Sequence, residues 1–595
     1  MTDKRQAPPG CSFLVQPISE RLPFIAEDLT QEQRQLAATA EAFMQREVLP
    51  DVQRLEAKEP GLMVAKLRAA AEVGLLMIDI PEAYGGLDLD KVSSMRCAET
   101  LGTYASFSVS HGAHTGIGML PLVFFGTHEQ KERYLPRMAT GELLGAYALT
   151  EPGSGSDALG ARTTAIRTTD SEGQPCFRLN GTKMWITNAG FADLFTVFAK
   201  VDGEHFTAFL VEAAYPGVST GAEEHKMGLR GSSTRLLILE DVLVPAHNVL
   251  GEIGRGHKIA FNILNFGRYK LGVGVLGAAK RALELAISYA KVRHQFGQPI
   301  AAFGAIREKL ARMTSACFAL EAMCYRVAGD MDLSIGALDS QADSYPAAVM
   351  AAIEDYAVED SIMKVYGSEV LDFVVDEAVQ VHGGLGYSEE YEVERLYRDS
   401  RINRIFEGTN EINRLLIPGM LVKRILHGQL DLSHRMARIA SLAEARSAPA
   451  WCPNALDQEV ALTEALKDAS VFVAQEVLQA KGPAFKEAQA LSLVLADLLI
   501  ATYSADSTLG RVLRLQGRGA ATRVHCAIAQ AVVAEATYQV RTLGESLLAS
   551  LSQGDTLRAK RQTLAALLPA PETPLDLVRE EIAAFVLERE RWPFV

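Results

Sequence analysis

The 595-residue sequence lacks several features that would place it in a restricted class of proteins. Its seven cysteines are scattered and none forms a Cys-x-x-Cys pair, which predicts buried thiols in a reducing compartment rather than disulfides or a metal site. The N-terminus, MTDKRQAPPGCSF, has no long apolar run, so we expect no secretory signal. A basic excess is also missing, and the net charge of -14 argues against general nucleic-acid binding.

Long hydrophobic runs are scarce in a chain that is 48% hydrophobic and 22% charged, a composition typical of globular proteins. The most apolar late stretch, AQALSLVLADLLIATY, contains Asp497 and is shorter than the about 20 residues that a bilayer requires. These features predict a cytoplasmic protein. Basic residues in 419–440 also suggest weak peripheral contact with an anionic membrane, although a solvated helix face is the simpler explanation. They are Lys423, Arg424, Arg435 and Arg438.

Changes of residue pattern divide the chain into segments. Apolar residues recur at helical spacing in the first quarter, short β-prone runs follow, and long helical patterns then return. A later composition shift indicates a linker to a second helical block. We therefore predict an N-terminal extension at 1–27, a helical domain at 28–145, a β domain at 146–255, a helical bundle at 256–440, a linker at 441–455 and a C-terminal helical extension at 456–595.

Local signals support this division. Thr30 and Gln33 fit a capping box at the start of the first long helix. Asn180-Gly181 and Asp202-Gly203 each separate two β-prone runs, and so predict two hairpins in a small antiparallel β domain. Thr573-Pro574 predicts an N-cap followed by a first-turn proline.

Two motifs in the β region have competing interpretations. In TEPGSGSD (150–157), Gly153 and Gly155 let backbone N–H groups converge on an anion, but an ordinary glycine turn also explains them. In MWIT (184–187), Trp185 is either core packing or a wall against a flat heteroaromatic ring.

Three motifs in the helical region are also ambiguous. Arg293 in RHQFGQPI ends a helix, where it favours the helix dipole or clamps a pyrophosphate. VHGGLGY (381–387) is either a helix C-cap or a close approach of backbone to a ligand. GVGVLG (272–277) matches the dinucleotide pattern, but no strand precedes it, so we expect its small residues to let helices pack closely.

Glu407, in RIFEGTNEINR (404–414), is the strongest catalytic candidate. Most glutamates are solvated, yet the apolar residues Ile402, Ile405 and Phe406 lie beside this one in the sequence. Desolvation would raise its pKa and make it a plausible base near neutral pH. No Ser-His-Asp or Cys-His pattern competes with it.

The order of the motifs is more specific than any one of them. TEPGSGSD, KMWITN, KMGLRGSSTRLLILEDVLVP, RHQFGQPI, VHGGLGY and FEGTNEINR together resemble the acyl-CoA dehydrogenase family of flavoproteins, over residues 30–430. ILNFGRYKLG, QPIAAFGAIREKLARM and the C-terminal block are similar to its very-long-chain branch. The resemblance implies a mainly α fold with a central antiparallel β-barrel domain, a four-helix bundle and an additional C-terminal helical domain.

The resemblance also implies FAD as cofactor, in a site built by two subunits. The motif that begins at Tyr147 would wrap the isoalloxazine and pyrophosphate, and Trp185 with its two successors would face the ring. Arg293, with residues 380–384 of the neighbouring chain, would hold the adenine half. Glu411 departs from the Gln that the family often has there. The implied cofactor-binding residues are Tyr147, Leu149, Thr150, Gly155, Ser156, Trp185, Ile186, Thr187, Arg293, Gln295, Phe296, Gln380, Val381, Gly383, Gly384, Thr409 and Glu411.

By the same resemblance, Glu407 removes the α-proton of an acyl-CoA thioester while the β-hydrogen leaves as hydride to the flavin. The product is a trans-2-enoyl-CoA. Some relatives carry the base just before the arginine that corresponds to Arg268, but Gly267 stands there in this chain. A pair on a helix surface is the alternative for Asn265 and Arg268. The implied substrate contacts are Ser156, Asn265, Arg268, Phe406 and Gly408.

The resemblance therefore implies a long- or very-long-chain acyl-CoA dehydrogenase of fatty-acid β-oxidation. It would be a homodimer that passes electrons to electron-transferring flavoprotein. Small residues in SFSVSHGAHTGIG (106–118) would deepen an acyl tunnel, or would let helices pack closely. The alternatives are an acyl-CoA oxidase that uses O2, a non-catalytic assembly protein that retains the fold, and a relative that acts on another carbon acid. Glu407 argues against the last two.

Overall fold

The structure is a computed structural model that describes residues 7–342, 344–445, 456–589 and 591–594. Of the predicted linker, residues 441–445 end a helix, and residues 446–455 lie outside the described part of the chain, as does Cys452. Each described cysteine is a free thiol.

Seven α-helices form the N-terminal part. The predicted capping box is confirmed, because Thr30 Oγ1 accepts a hydrogen bond from the N–H of Gln33 (3.2 Å) while the Gln33 side chain accepts one from the N–H of Thr30 (2.9 Å). A wider turn over Ala113–Gly118 follows the fifth helix. The helices are α1 Gln31–Phe43, α2 Val52–Glu56, α3 Leu62–Glu72, α4 Lys91–Leu101, α5 Ala105–Gly112, α6 Leu120–Phe125 and α7 His128–Ala139.

The middle of the chain forms one mixed sheet of eight strands. The order across it is β6-β7-β3-β2-β4-β5-β8, and β1 pairs with β4. β1 and β2 both run parallel to β4, so the prediction of an antiparallel barrel is wrong: within the described residues the sheet is open and mixed. The strands are β1 Gly145–Ala148, β2 Thr164–Thr169, β3 Pro175–Thr187, β4 Leu194–Val201, β5 His205–Glu212, β6 Val218–Thr220, β7 Thr234–Pro245 and β8 Val249–Leu250.

The two predicted hairpins have different outcomes. Asp202-Gly203 joins β4 to β5, with left-handed φ angles of 53° and 80°, and confirms its hairpin. Asn180-Gly181 does not turn the chain. Instead the Asn180 side chain donates to Asp241 Oδ1 on β7 (2.9 Å) and accepts from the N–H of Asp241 (2.9 Å), so β3 continues through a bulge.

Seven helices and a short hairpin form the next part of the chain. The glycines of GVGVLG allow close packing as expected, because a Cβ at Gly277 would lie 1.9 Å from the Glu99 carbonyl oxygen on α4. The elements are α8 Gly256–Val292, β9 His294–Gln295, β10 Gln298–Pro299, α9 Gly304–Gly336, α10 Tyr345–Glu354, α11 Ala357–His382, α12 Glu392–Ser400, α13 Asn410–Leu426 and α14 Ser433–Ala445.

The basic residues of 419–440 differ in exposure: Lys423 and Arg438 are exposed, whereas the other two are paired inside the protein. Arg424 donates to Asp355 Oδ1 (2.5 Å), and Arg435 is buried beside Asp468 (2.7 Å). Because these charges are paired inside the protein, they are not available to an anionic membrane surface.

Five helices complete the fold. The last begins at Leu575 with Pro574 in the N-cap position, one residue later than the Thr573 cap that the sequence indicated. α16 is longer than its apolar core suggested, and it is the one helix among the described residues that is long and apolar enough to cross a membrane (29 residues, mean hydropathy 1.3). However, 72% of its apolar window is buried inside the fold, as in a core helix. The helices are α15 Asp457–Lys481, α16 Gln489–Gly517, α17 Arg523–Leu551, α18 Gly554–Leu567 and α19 Leu575–Leu587.

A buried network of charges joins the C-terminal helices to the rest of the protein. Lys280 on α8 donates to Glu99 on α4 (2.5 Å) and to Glu321 on α9. Arg511 on α16 donates to the same Glu321 (2.6 Å) and to Glu27 in the N-terminal segment (2.7 Å). Loss of one partner would leave an uncompensated buried charge, so this network holds five parts of the chain together.

Candidate active site

Glu407 lies on a tight turn directly before α13. Its φ is 56° and that of Gly408 is 81°, both in the left-handed region that a non-glycine residue adopts only with strain. Thr409 is the N-cap of α13, because its Oγ1 accepts from the N–H of Ile412 (3.2 Å). The turn therefore places a strained glutamate at the entrance of a helix.

Three side chains hold the carbonyl groups of this turn. Lys364 Nζ donates to the Gly408 oxygen (2.6 Å), and Asn413 Nδ2 donates to the same oxygen (2.9 Å). Arg268 Nε donates to the Glu407 oxygen at 3.4 Å. Within the described residues the N–H of Glu407 donates to no protein group. The turn is thus fixed from behind and leaves one backbone donor free for a ligand.

Glu407 is a half-buried residue, but its carboxyl group has little protein solvation. Its Oε2 is inaccessible to water and has no hydrogen-bond partner among the described residues. Burial raises its pKa to about 7, against the opposing charges of Arg268 and Lys364. Ile405, expected to help desolvate it, is 48% exposed. A carboxyl group that is half ionised near neutral pH is suited to general base catalysis.

Gly267 leaves the space that the carboxyl group occupies. A Cβ on that glycine would lie 2.2 Å from Glu407 Oε2 and 2.7 Å from its Cδ. The neighbouring Arg268 and Asn265 are both buried (7% exposed), and Arg268 Nη1 donates to Asn265 Oδ1 (2.8 Å). They are therefore not a pair on a helix surface, which was the alternative interpretation.

Tyr147 on β1 reaches the same region. Its hydroxyl is buried without a hydrogen-bond partner among the described residues, and burial together with the Glu407 charge raises its pKa well above the usual range. An unpartnered hydroxyl of this kind marks a place where a ligand can supply the missing partner.

The TEPGSGSD loop and the MWIT strand are directly connected. The N–H of Met184 donates to the Thr150 carbonyl (2.8 Å). Lys183 Nζ, fully buried, donates to Glu151 Oε1 (2.7 Å) and to the Leu149 carbonyl (3.3 Å). Burial lowers the pKa of Lys183, against the attraction of Glu151. This pair fixes the loop to the strand.

The loop itself is a turn whose outer side is open. Ser154 accepts from and donates to the Glu151 backbone, and its Oγ donates to the Asp157 carbonyl (2.5 Å). A Cβ at Gly153 or Gly155 would meet no atom within 4 Å. Ser156 is exposed at the same edge. The motif is therefore a glycine turn that also leaves its backbone open on the outer side.

Trp185 is not core packing. Its side chain is 52% exposed, and its φ of 60° falls where β3 and β7 shift register. Ile186, by contrast, is buried, and Thr187 is half-buried. A strained strand residue that presents an indole outward fits a surface for a flat ring.

A second group of predicted residues lines a cavity of about 410 Å³ between the end of α8 and the end of α11. Phe296, on the β9–β10 turn, is 94% exposed and has a φ of 51°. Gln380 is exposed at the end of α11. The cavity contains none of the residues around Glu407. Its predicted members are Arg293, Gln295, Val381, Gly383 and Gly384.

Arg293 and Gly383 line the same cavity within a single chain. The pairing of Arg293 with residues 380–384 of a neighbouring chain stays a prediction. Glu411 lies exposed in the first turn of α13, and Phe406 is half-buried beside the turn.

Sequence reasoning missed the residues that support the site. Lys364 and Asn413 hold the Glu407 turn, and Glu151 with Lys183 holds the glycine loop. Asn413 lies in the quoted motif, six residues after Glu407, and its helical position gave a signal. Lys364 gave another, as the single lysine of helix α11.

Family comparisons cover most of the chain. Acyl-CoA dehydrogenase domains match as the N-terminal domain at 30–142, the middle domain at 146–242 and the C-terminal domain at 254–419. A further acyl-CoA dehydrogenase C-terminal domain matches at 465–566.

Individual relatives agree. A "Probable acyl-CoA dehydrogenase" of Bacillus subtilis (strain 168) is 43% identical over 98% of both chains. The very long-chain specific acyl-CoA dehydrogenase of Rattus norvegicus is 41% identical over 59% of this chain and 52% of its own length. A crystal structure of an acyl-CoA dehydrogenase complexed with FAD from Bacillus anthracis has a TM-score of 0.94 and 46% identity, covering 99% of this chain and 100% of that one. With the matched domains, these similarities show that the protein belongs to the acyl-CoA dehydrogenase family.

Proposed function

We propose that the protein is an FAD-dependent dehydrogenase that converts long- or very-long-chain acyl-CoA to trans-2-enoyl-CoA in fatty-acid β-oxidation, with Glu407 as the base. The observation that carries this proposal is the half-buried Glu407, whose enclosed Oε2 has no partner among the described residues and whose pKa is about 7, on a strained turn whose own N–H is free. Those are the two groups that an α-proton abstraction requires in one place.

The residues present fit an FAD group. Trp185 presents an exposed indole, Tyr147 has an unpartnered buried hydroxyl, and the glycines of the TEPGSGSD loop leave open backbone. Arg293 and its cavity partners would hold the adenine half, supplied by the second subunit of a homodimer. When bound, FAD supplies the two-electron acceptor for the β-hydrogen.

Residues of the chain itself accept the α-proton and stabilise the charge that develops. Glu407 Oε2 accepts the α-proton, and the charges of Arg268 and Lys364 favour the carboxylate that must do so. The N–H of Glu407 would donate to the thioester oxygen as negative charge develops there. One donor of this kind is typically worth about 3 to 4 kcal/mol in the transition state.

The preference for long acyl chains rests on the 106–118 segment. A Cβ at Gly112 would meet no atom within 4 Å, which suits an open tunnel wall, whereas one at Gly118 would lie 2.5 Å from the Ala113 oxygen, which is close packing. Anaerobic reduction of the flavin by acyl-CoAs of graded length tests the preference. Reduction only by short chains refutes it.

Electron-transferring flavoprotein is the proposed acceptor, in the cytoplasm. Turnover that consumes oxygen without an added acceptor would instead identify an acyl-CoA oxidase. A flavin that no acyl-CoA bleaches would identify a non-catalytic member of the fold.

Glu407→Gln tests the assignment of the base. The amide cannot accept a proton, so the variant should retain flavin and acyl-CoA binding but lose nearly all dehydrogenation. Glu72→Gln is the control, because this exposed glutamate ends α3 and belongs to none of the predicted site residues. Comparable turnover in Glu407→Gln refutes the proposal.

A further inference from the structure

Helix α11 carries a polar stripe on the face that lies against the Glu407 turn. Asp360, Lys364 and Ser368 are spaced four residues apart, as side chains on one helix face are, and all three are fully buried. Lys364 bonds to the Gly408 carbonyl, and Ser368 Oγ accepts from Asn410 Nδ2 (3.0 Å). The stripe therefore meets the turn and the first residue of α13.

The position of Lys364 carries an energetic cost. Burial of an ammonium group is costly unless an opposite charge compensates it. Its Nζ donates to two neutral acceptors, the Gly408 oxygen (2.6 Å) and Asn410 Oδ1 (2.8 Å), and within the described residues no carboxylate oxygen lies within the 4 Å of a salt bridge. Among its attractive charges, Glu407 has the largest effect.

We propose that Lys364 is a positioning residue for the base. Its ammonium group anchors the Glu407–Gly408 turn through the Gly408 carbonyl and Asn410, and its charge favours the carboxylate form of Glu407. This inference rests on the proposed function.

Other titratable groups also face Glu407 or Lys364, and Arg268 favours the Glu407 carboxylate more strongly than Lys364 does. Arg268 faces Glu407 from α8, and Tyr147 faces it from β1 as a neutral phenol. Asp360 acts on Arg268, and burial beside Glu359 raises the pKa of Asp360 well above its usual range. Glu411 and Glu369 act on Lys364 more weakly than Glu407 does.

Removal of the charge should change the titration of the base. Burial lowers the pKa of Lys364 to about 8, so the residue is mostly charged near pH 7. Without that charge, the acid limb of kcat/KM should move to higher pH by about one unit, the lower end of the effect of a nearby opposite charge. A merely structural loss would lower kcat at each pH and leave the limb in place.

Lys364→Met and Lys364→Gln separate charge from anchoring. Both should shift the limb. Only Lys364→Met, which donates no hydrogen bond, should lower the plateau kcat by about tenfold or more, with the KM for acyl-CoA little changed. Lys309→Met is the matched control. Lys309 lies on α9 and bonds to Glu377, which is on α11 like Lys364 but away from the turn. An unmoved limb in both Lys364 variants overturns the role of the charge.

Two further measurements keep the inference testable. Asn410→Ala keeps the charge but removes one anchor, so it should lower kcat without moving the limb, and an unchanged kcat overturns the anchoring role. The melting temperature of Glu407→Gln relative to its parent, measured against pH, reports the Glu407 titration without activity. The pH midpoint of this difference in melting temperature should rise when both proteins also carry Lys364→Gln. An unchanged midpoint refutes the inference. This melting measurement is valid even if no acyl-CoA is a substrate. Failure of the proposed function can therefore be distinguished from failure of the Lys364 inference.

Discussion

Gly267→Ala tests whether the position of the Glu407 carboxyl group determines the rate. The added Cβ would lie 2.2 Å from Glu407 Oε2, whereas ordinary contact begins at 3.4 Å. The carboxyl group is the flexible end of its side chain. We therefore expect the carboxyl group to move by about 1 Å, and we expect α8 to stay straight. A displacement of about 1 Å at a reacting group can cost about 100-fold in rate.

Stability should not fall in parallel. Gly267 lies inside α8, where alanine is favoured over glycine by about 1 kcal/mol. This gain offsets the strain of the moved side chain. We therefore expect flavin content and melting temperature close to those of the parent, with kcat for flavin reduction lower by about 100-fold in anaerobic stopped-flow measurements.

Gly274→Ala on the same helix is the matched control. Its Cβ would meet Ser108 Oγ at 3.8 Å and the Ala98 oxygen at 4.0 Å, which are ordinary contacts. It should give the same helical gain without loss of rate. If Gly267→Ala turns over as fast as Gly274→Ala, the carboxyl group in this position is not the base.

Four other predictions concern the site and its support. Because Glu407 must be ionised to accept a proton, kcat/KM should rise with pH through about 7, and a flat profile would contradict this. The same raised pKa means that Glu407 stabilises the fold below pH 4.5, an effect that is lost as pH rises through 7; melts of the parent and Glu407→Gln should diverge over that window. Trp185→Ala should weaken flavin retention with little change in apoprotein melting, since the indole is half exposed; retained flavin would exclude it as a ring wall. Arg511→Met should lower the free energy of unfolding by about 3 to 5 kcal/mol in denaturant titrations, because Glu321 loses a buried partner, and a smaller change would show that the pair is compensated by water.

Local patterns predicted the elements whose cause is local. The capping box at Thr30 and the Asp202-Gly203 hairpin each depend on neighbouring residues, and both formed as expected. Asn180-Gly181 did not, because its deciding partner, Asp241, is 61 residues away. The parallel pairs with β4 likewise depend on segments that no local pattern brings together.

The candidate site shows the same limit. The motifs placed Glu407 on a turn, and the family resemblance placed Tyr147 and Arg268 with it. Its anchors are harder to read, since Lys364 lies 44 residues from the carbonyl that it holds. Lys364 is the single lysine of α11, and only the packing of α11 against the turn identifies its partners.

The buried charges around Arg511 have a consequence for how the chain could be divided. They join α16 to α9, which carries Glu321, and to the N-terminal segment at Glu27 through noncovalent contacts alone. Two fragments produced by a cut between α14 and α15 should therefore remain one particle under native conditions. Separately expressed, each half would expose unpaired charges, and we expect the halves to recover a folded enzyme only when they are mixed.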